Sequence, residues 1–116
     1  MAKSAADAFY SHHRQGFVRV AAATPRVGTG DPAFNLDEHI ALARQGDAEA
    51  VDLMVFPELS LSAYAIDDLL LQDPLQDVVK REAIALIDAS ADLLPILLGE
   101  ALRPVARFRR EHRAVR

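Results

Sequence analysis

The pair Asp-Pro occurs twice, at Asp31-Pro32 and Asp73-Pro74. An aspartate can cap the free amides of a helix start, and proline fits the first helical position, where no amide is needed. Each pair therefore predicts a helix beginning there. Short apolar runs flank both helices: Phe17 to Ala23 before the first, Val51 to Phe56 between them, and Pro95 to Leu98 after the second. The order is strand, helix, strand, helix, strand. Parallel strands need crossovers, usually helical, so this order predicts an α/β layered fold with parallel neighbours.

Finer expectations follow from the pattern. Leu36, Ile40 and Ala43 recur at helical spacing and make an apolar face, with Gly46 as a stop. Leu75, Val78, Val79, Leu86 and Ile87 do the same on the second helix, which Asp92 ends. Phe17 to Ala23 shows little alternation, as a strand covered on both faces would. The third strand is expected at an exposed edge, so the pattern reads as the first part of a larger sheet. His39 is expected on the flank of the first helix. Gly28-Thr29-Gly30 lacks the third glycine and the acidic partner of a dinucleotide fingerprint, so it reads as a plain loop. Asp67-Asp68 is expected to cap a short helix through Leu69 and Leu70.

The chain contains no cysteine. That excludes disulfides, cysteine-ligated metal and thiolate catalysis by these residues. Adjacent side chains point apart on regular elements, so His12-His13 reads as part of a solvated leader over residues 1–16, and no metal site is expected. Residues 1–8 carry one lysine and no apolar core, unlike a signal peptide. No apolar run approaches a membrane span, and a cytoplasmic location without membrane contact is expected. Charge is uneven: residues 1–100 carry 7 basic and 16 acidic side chains, whereas residues 101–116 carry six arginines and one glutamate. The basic tail, 101–116, is expected to lie outside the fold. Its composition matches out-of-frame translation of a GC-rich gene. The alternative is a small α/β interaction module that binds an acidic partner, RNA or protein, through these arginines. Phe108 is the tail's one aromatic residue, so base stacking is thin and nucleic-acid binding is not expected.

The most informative stretch is Phe56-Pro57-Glu58-Leu59-Ser60-Leu61-Ser62-Ala63-Tyr64. It follows a strand, and ligands of open α/β sheets bind beyond the carboxyl ends of strands. Glu58 between Phe56, Leu59 and Leu61 would be partly desolvated, which raises a carboxyl pKa toward that of a general base. A glutamate capping the next turn, or facing solvent, fits the residues too.

Together with Gly16 to Ala22, Asp67-Asp68-Leu69-Leu70-Leu71-Gln72-Asp73 and Ser90 to Pro95, this stretch resembles the start of the nitrilase-type glutaminase domain of bacterial glutamine-dependent NAD synthetases. The resemblance covers residues 17 to about 100. It implies an incomplete nitrilase-like α-β-β-α sandwich. In that family a glutamate, a lysine and a cysteine release ammonia from glutamine. Glu58 falls at the position of the glutamate, the proton acceptor, and Tyr64 at a tyrosine that lines the glutamine pocket. The resemblance implies that the lysine and cysteine lie further along the family's chain. Lys80, the one lysine after Glu58, is not in that context. The full-length family enzyme uses ATP and magnesium in a separate domain and is a homo-oligomer; no cofactor is expected on this chain. The 116 residues alone are expected to be inactive. The family's glycine before the tyrosine is Ala63 here. If that position has a positive φ, alanine costs about 1 kcal/mol there.

Overall fold

In a computed structural model of the chain, which describes residues 9–102, Asp31 begins the first helix as its side chain requires. Asp31 Oδ1 accepts the Phe34 amide at 3.2 Å, and Pro32 occupies the first turn. This helix, α1, spans Pro32–Ala48. The second, α2, spans Asp73–Ser90, with Pro74 in its first turn. Between and around them lie β1 (Val20–Ala22), β2 (Leu53–Val55) and β3 (Ile96–Leu97). Two 3-10 turns, His12–Gln15 and Asp67–Leu71, complete the described elements. Residues 103–116, which carry the arginine-rich tail, and residues 1–8 lie outside the described residues.

The sheet is parallel, in the order β1-β2-β3. Ala21, Met54 and Ile96 stand in one row across it. That row packs on both helices. Ala43 of α1 joins Val51, Met54, Phe56 and Leu94 in one cluster; Leu36 of α1, Leu61 and Leu86 of α2 make a second, and Ile96 touches both. The two helices therefore cover the same face. The opposite face carries Val20, Ala22 and Leu97, all exposed, with Leu53 and Val55 half-buried.

Several expectations change at this point. β1 is three residues long, and Phe17 and Val18 precede it in exposed positions. β1 is thus open on its outer face, because the described residues supply layers on one side only. Gly46 does not stop α1. It is buried within the last turn, where a Cβ would run into the ends of the Met54 and Leu94 side chains. His39 is fully buried rather than flanking, and Ile87 is exposed at 67%. The buried stripe of α2 runs through Gln76, Val79, Glu82 and Leu86 instead. Asp67 and Asp68 sit inside their short helix, and no side-chain hydrogen bond caps it.

Candidate active site

β2 delivers the chain to the carboxyl edge of the sheet, where Phe56 buries its ring 4.3 Å from that of His39. Pro57 then turns the backbone outward. Glu58, Leu59 and Ser60 form a turn, Leu61 to Ala63 dive back into the core, and Tyr64 re-emerges. Two residues in this loop hold a left-handed backbone without being glycine: Leu59 at φ 57° and Ala63 at φ 71°. Ala63 is therefore in the conformation that favours glycine.

A polar network fixes the loop against α1. Asn35 donates from Nδ2 to the carbonyls of Gly28 (2.9 Å) and Leu61 (2.7 Å), while its Oδ1 accepts the Gly28 amide at 2.6 Å. One buried amide thus ties together the loop after β1, α1 and the loop after β2. His39 lies one turn on. Its Nδ1 donates to the Asn35 carbonyl at 2.6 Å, which leaves Nε2 to accept the Ser60 hydroxyl at 2.7 Å. Burial lowers the His39 pKa below its usual 6.5, against the pull of the Asn35 carbonyl. The Gly30 amide is spent on the Ser62 carbonyl at 3.1 Å.

The loop after β3 closes the other side. The Leu59 amide donates to the Gly99 carbonyl at 2.8 Å. Glu100 reaches inward: Oε1 accepts the Leu61 amide at 2.6 Å and Oε2 accepts the Ser62 hydroxyl at 3.2 Å. Burial raises the Glu100 pKa above its usual 4.5; the bonds from Leu61 and Ser62 oppose this, and the charge of Glu58 adds to it. Two carboxylates, one after β2 and one after β3, therefore share the carboxyl end of the sheet.

Glu58 and Tyr64 come together. Both line a cleft of about 190 Å³ with Thr24, Pro25, Val27 and Leu59. Glu58 is exposed, so the desolvation expected from its apolar neighbours is not present. Phe56 and Leu61 turn into the core, away from it. Tyr64 is 78% exposed. Lys80 lines a separate depression with Asp73, Gln76, Asp77 and Leu102. The sequence did not single out Asn35 or Glu100 as site residues, and His39 was expected on a helix flank rather than in this network. The available signal was positional for Glu100, which follows β3 much as Glu58 follows β2.

The His12-His13 pair also departs from expectation. The 3-10 turn brings the two rings to 4.0 Å, and both Nε2 atoms meet the carboxylate of Asp52, His12 at 3.1 Å from Oδ2 and His13 against Oδ1.

No protein-family model matches the chain. Curated proteins do. It is 49% identical over 96 residues to the glutamine-dependent NAD(+) synthetase of Mycobacterium leprae, and equally to those of Mycobacterium bovis and Mycobacterium tuberculosis. Each match covers 82% of this chain and 14% of the relative, so the chain spans about a seventh of their length. Among solved structures, a glutamine-dependent NAD(+) synthetase from Cytophaga hutchinsonii superposes with a TM-score of 0.69 at 19% identity, over 76% of this chain and 15% of that one. The enzyme from Acinetobacter baumannii gives 0.57 at 24% identity, over 76% and 16%. These two likenesses establish the fold of the matched region.

Proposed function

From the premise that 96 of these residues are homologous to one part of the glutamine-dependent NAD(+) synthetases, we propose that the chain forms the opening portion of a glutaminase site. Glu58 is its proton acceptor. In this reading Glu58 takes the proton from a cysteine thiol as sulfur attacks the amide carbon of glutamine, and passes it to the leaving ammonia. A lysine supplied from beyond these residues stabilises the oxyanion. Tyr64 borders the glutamine pocket. The carrying observation is that Glu58 and Tyr64 line one cleft at the carboxyl end of a parallel sheet.

The same reading accounts for the open sheet face and for the apolar cleft of about 350 Å³ beside β3, lined by Leu86, Ile87, Ile96, Leu97, Leu98 and Leu102. A fourth strand would pair with β3, and a second sheet would cover Val20, Ala22 and Leu97, completing an α-β-β-α sandwich. Residues 17–100 are then part of one nitrilase-like domain. The 116 residues contain no cysteine, so by themselves they do not turn over glutamine. The whole enzyme is a cytoplasmic homo-oligomer that amidates deamido-NAD with ATP and magnesium. The described residues do not fit ATP. The one glycine-rich loop spends its Gly28 and Gly30 amides on Asn35 and Ser62, which leaves neither for phosphate. Among the described residues no helix is long and apolar enough to cross a membrane.

A chimera tests the proposal. The homologous segment of the Mycobacterium tuberculosis enzyme is replaced by this chain's, and ammonia release from glutamine is measured. The chimera should retain glutaminase activity, and Glu58→Gln in it should lose roughly 10²–10⁴-fold. NAD synthesis from free ammonia should survive in both, which separates lost chemistry from lost folding. A Glu58→Gln chimera with full glutaminase activity would overturn the assignment.

A further inference from the structure

We propose that His12, His13 and Asp52 form a site for one divalent transition-metal ion, zinc being the first choice. The three side chains each present one ligand atom, and these atoms lie within 4.8 Å of one another. Tetrahedral zinc with bonds near 2.0–2.1 Å sets its ligand atoms roughly 3.3 Å apart. The His12 Nε2 to Asp52 Oδ2 distance, 3.1 Å, is already close to that edge. Both histidines are partly exposed and on one short turn, so the remaining adjustment is a rotation of two surface rings.

The carboxylate is held in advance. Asp52 Oδ2 accepts the Arg19 amide at 2.7 Å, while the Asp52 amide donates to the Arg19 carbonyl at 2.8 Å. This reciprocal pair lies just before β1 and β2 begin their ladder, so Asp52 is anchored on the sheet. The Arg19 guanidinium is turned onto the Glu49 carbonyl. Without an ion, an imidazole N–H from each histidine donates to the carboxylate. An ion takes the place of those two protons: each Nε2 offers its lone pair, and the protons leave for Nδ1 or solvent. Two imidazoles and one carboxylate suit zinc, nickel, cobalt or copper rather than magnesium or calcium, which prefer all-oxygen sites. Three protein ligands leave a fourth position for water. The ion would fasten the 3-10 turn at residues 12–15 to the start of the sheet, across 40 residues of chain.

The test uses the full chain without an oligohistidine tag. Zinc chloride is titrated calorimetrically, and cobalt(II) is followed by the visible absorption of a four-coordinate ion. One equivalent of zinc should bind. His12→Ala and His13→Ala should each weaken it by at least about tenfold. Both variants lie on the surface turn, so their melting midpoints without metal should remain near the parent's. His112→Ala, which keeps all three proposed ligands, should bind as the parent does. Magnesium should not compete. Parent-like zinc affinity in His12→Ala and His13→Ala would overturn the site, as would absence of binding at millimolar zinc or loss of binding in His112→Ala.

Discussion

His39 and Glu100 are buried ionisable groups whose pKa shifts act on stability in opposite directions. His39 is lowered from 6.5, so the folded chain resists a proton that the unfolded chain accepts. Its contribution is complete above pH 6.5 and is lost as pH falls toward the folded value. Glu100 is raised from 4.5, so the unfolded chain ionises first. Its contribution is complete below pH 4.5 and is lost as pH rises through the folded value. Glu100→Gln removes the second effect and keeps an oxygen for the Leu61 amide. Urea midpoints of the variant, relative to the parent, should climb from pH 4 to pH 7.5; a constant difference would refute the assignment. Asn35 is the larger single anchor. Asn35→Ala strips partners from the Gly28 amide and from the Gly28 and Leu61 carbonyls. It should lower stability by about 2–4 kcal/mol in urea unfolding. At this scale the sequence singled out Glu58, because a carboxylate after a strand and a proline stands out, whereas Tyr64 came only from the family resemblance. The sequence hid Asn35 and His39, because polar residues on the buried stripe of a helix look like solvent-facing ones until their partners are known.

Element boundaries follow from contacts that local pattern does not contain. Gly46 looked like a helix stop because glycine favours C-terminal caps. The helix runs two residues further, to Ala48, and its cap closes at Ala50. The Val51 amide donates to the Gly46 carbonyl at 2.9 Å and the Ala50 amide to the Asp47 carbonyl at 3.1 Å, the paired bonds of a Schellman end. The left-handed residue that this end requires is Ala50, at φ 57° and exposed. Ala50→Gly should therefore raise stability by about 1 kcal/mol, read as a higher urea midpoint at unchanged slope. Ala63→Gly makes a useful contrast. Ala63 shares the left-handed backbone but is 97% buried, its exposure being 3%. Relief of strain is offset there by a lost buried methyl, about 0.8 kcal/mol, and by added freedom of the unfolded chain. Its net change should be near zero. The strand order and both helices were legible, since two Asp-Pro pairs and three apolar runs mark them. The short length of β1 was not, since Phe17 and Val18 extend its apolar run yet stand exposed before the ladder begins.

At the scale of the molecule the decisive feature is a parallel sheet that the described residues cover on one side only. Sheets of this kind ordinarily carry layers on both faces. Here both helices pack on the row of Ala21, Met54 and Ile96, while Val20, Ala22 and Leu97 face outward. The near-continuous apolar sequence of β1 predicted two covered faces, and the described residues provide one. The two facts agree if the outer face is built to be covered by a further layer. Exposed apolar area of this kind binds hydrophobic dyes and promotes association. The 116-residue chain should therefore enhance the fluorescence of an anilinonaphthalene dye under native conditions. Val20→Glu combined with Leu97→Glu should suppress that enhancement, yet change stability by no more than about 0.5 kcal/mol, because neither side chain contributes to the helix-covered core. If the pair of substitutions unfolds the chain, the outer face is already packed against something, and the single-layer reading fails. If stability holds and dye binding falls, the surface is a prepared interface, and its coverage is what a larger assembly must supply before the cleft beside Glu58 can become an enclosed site.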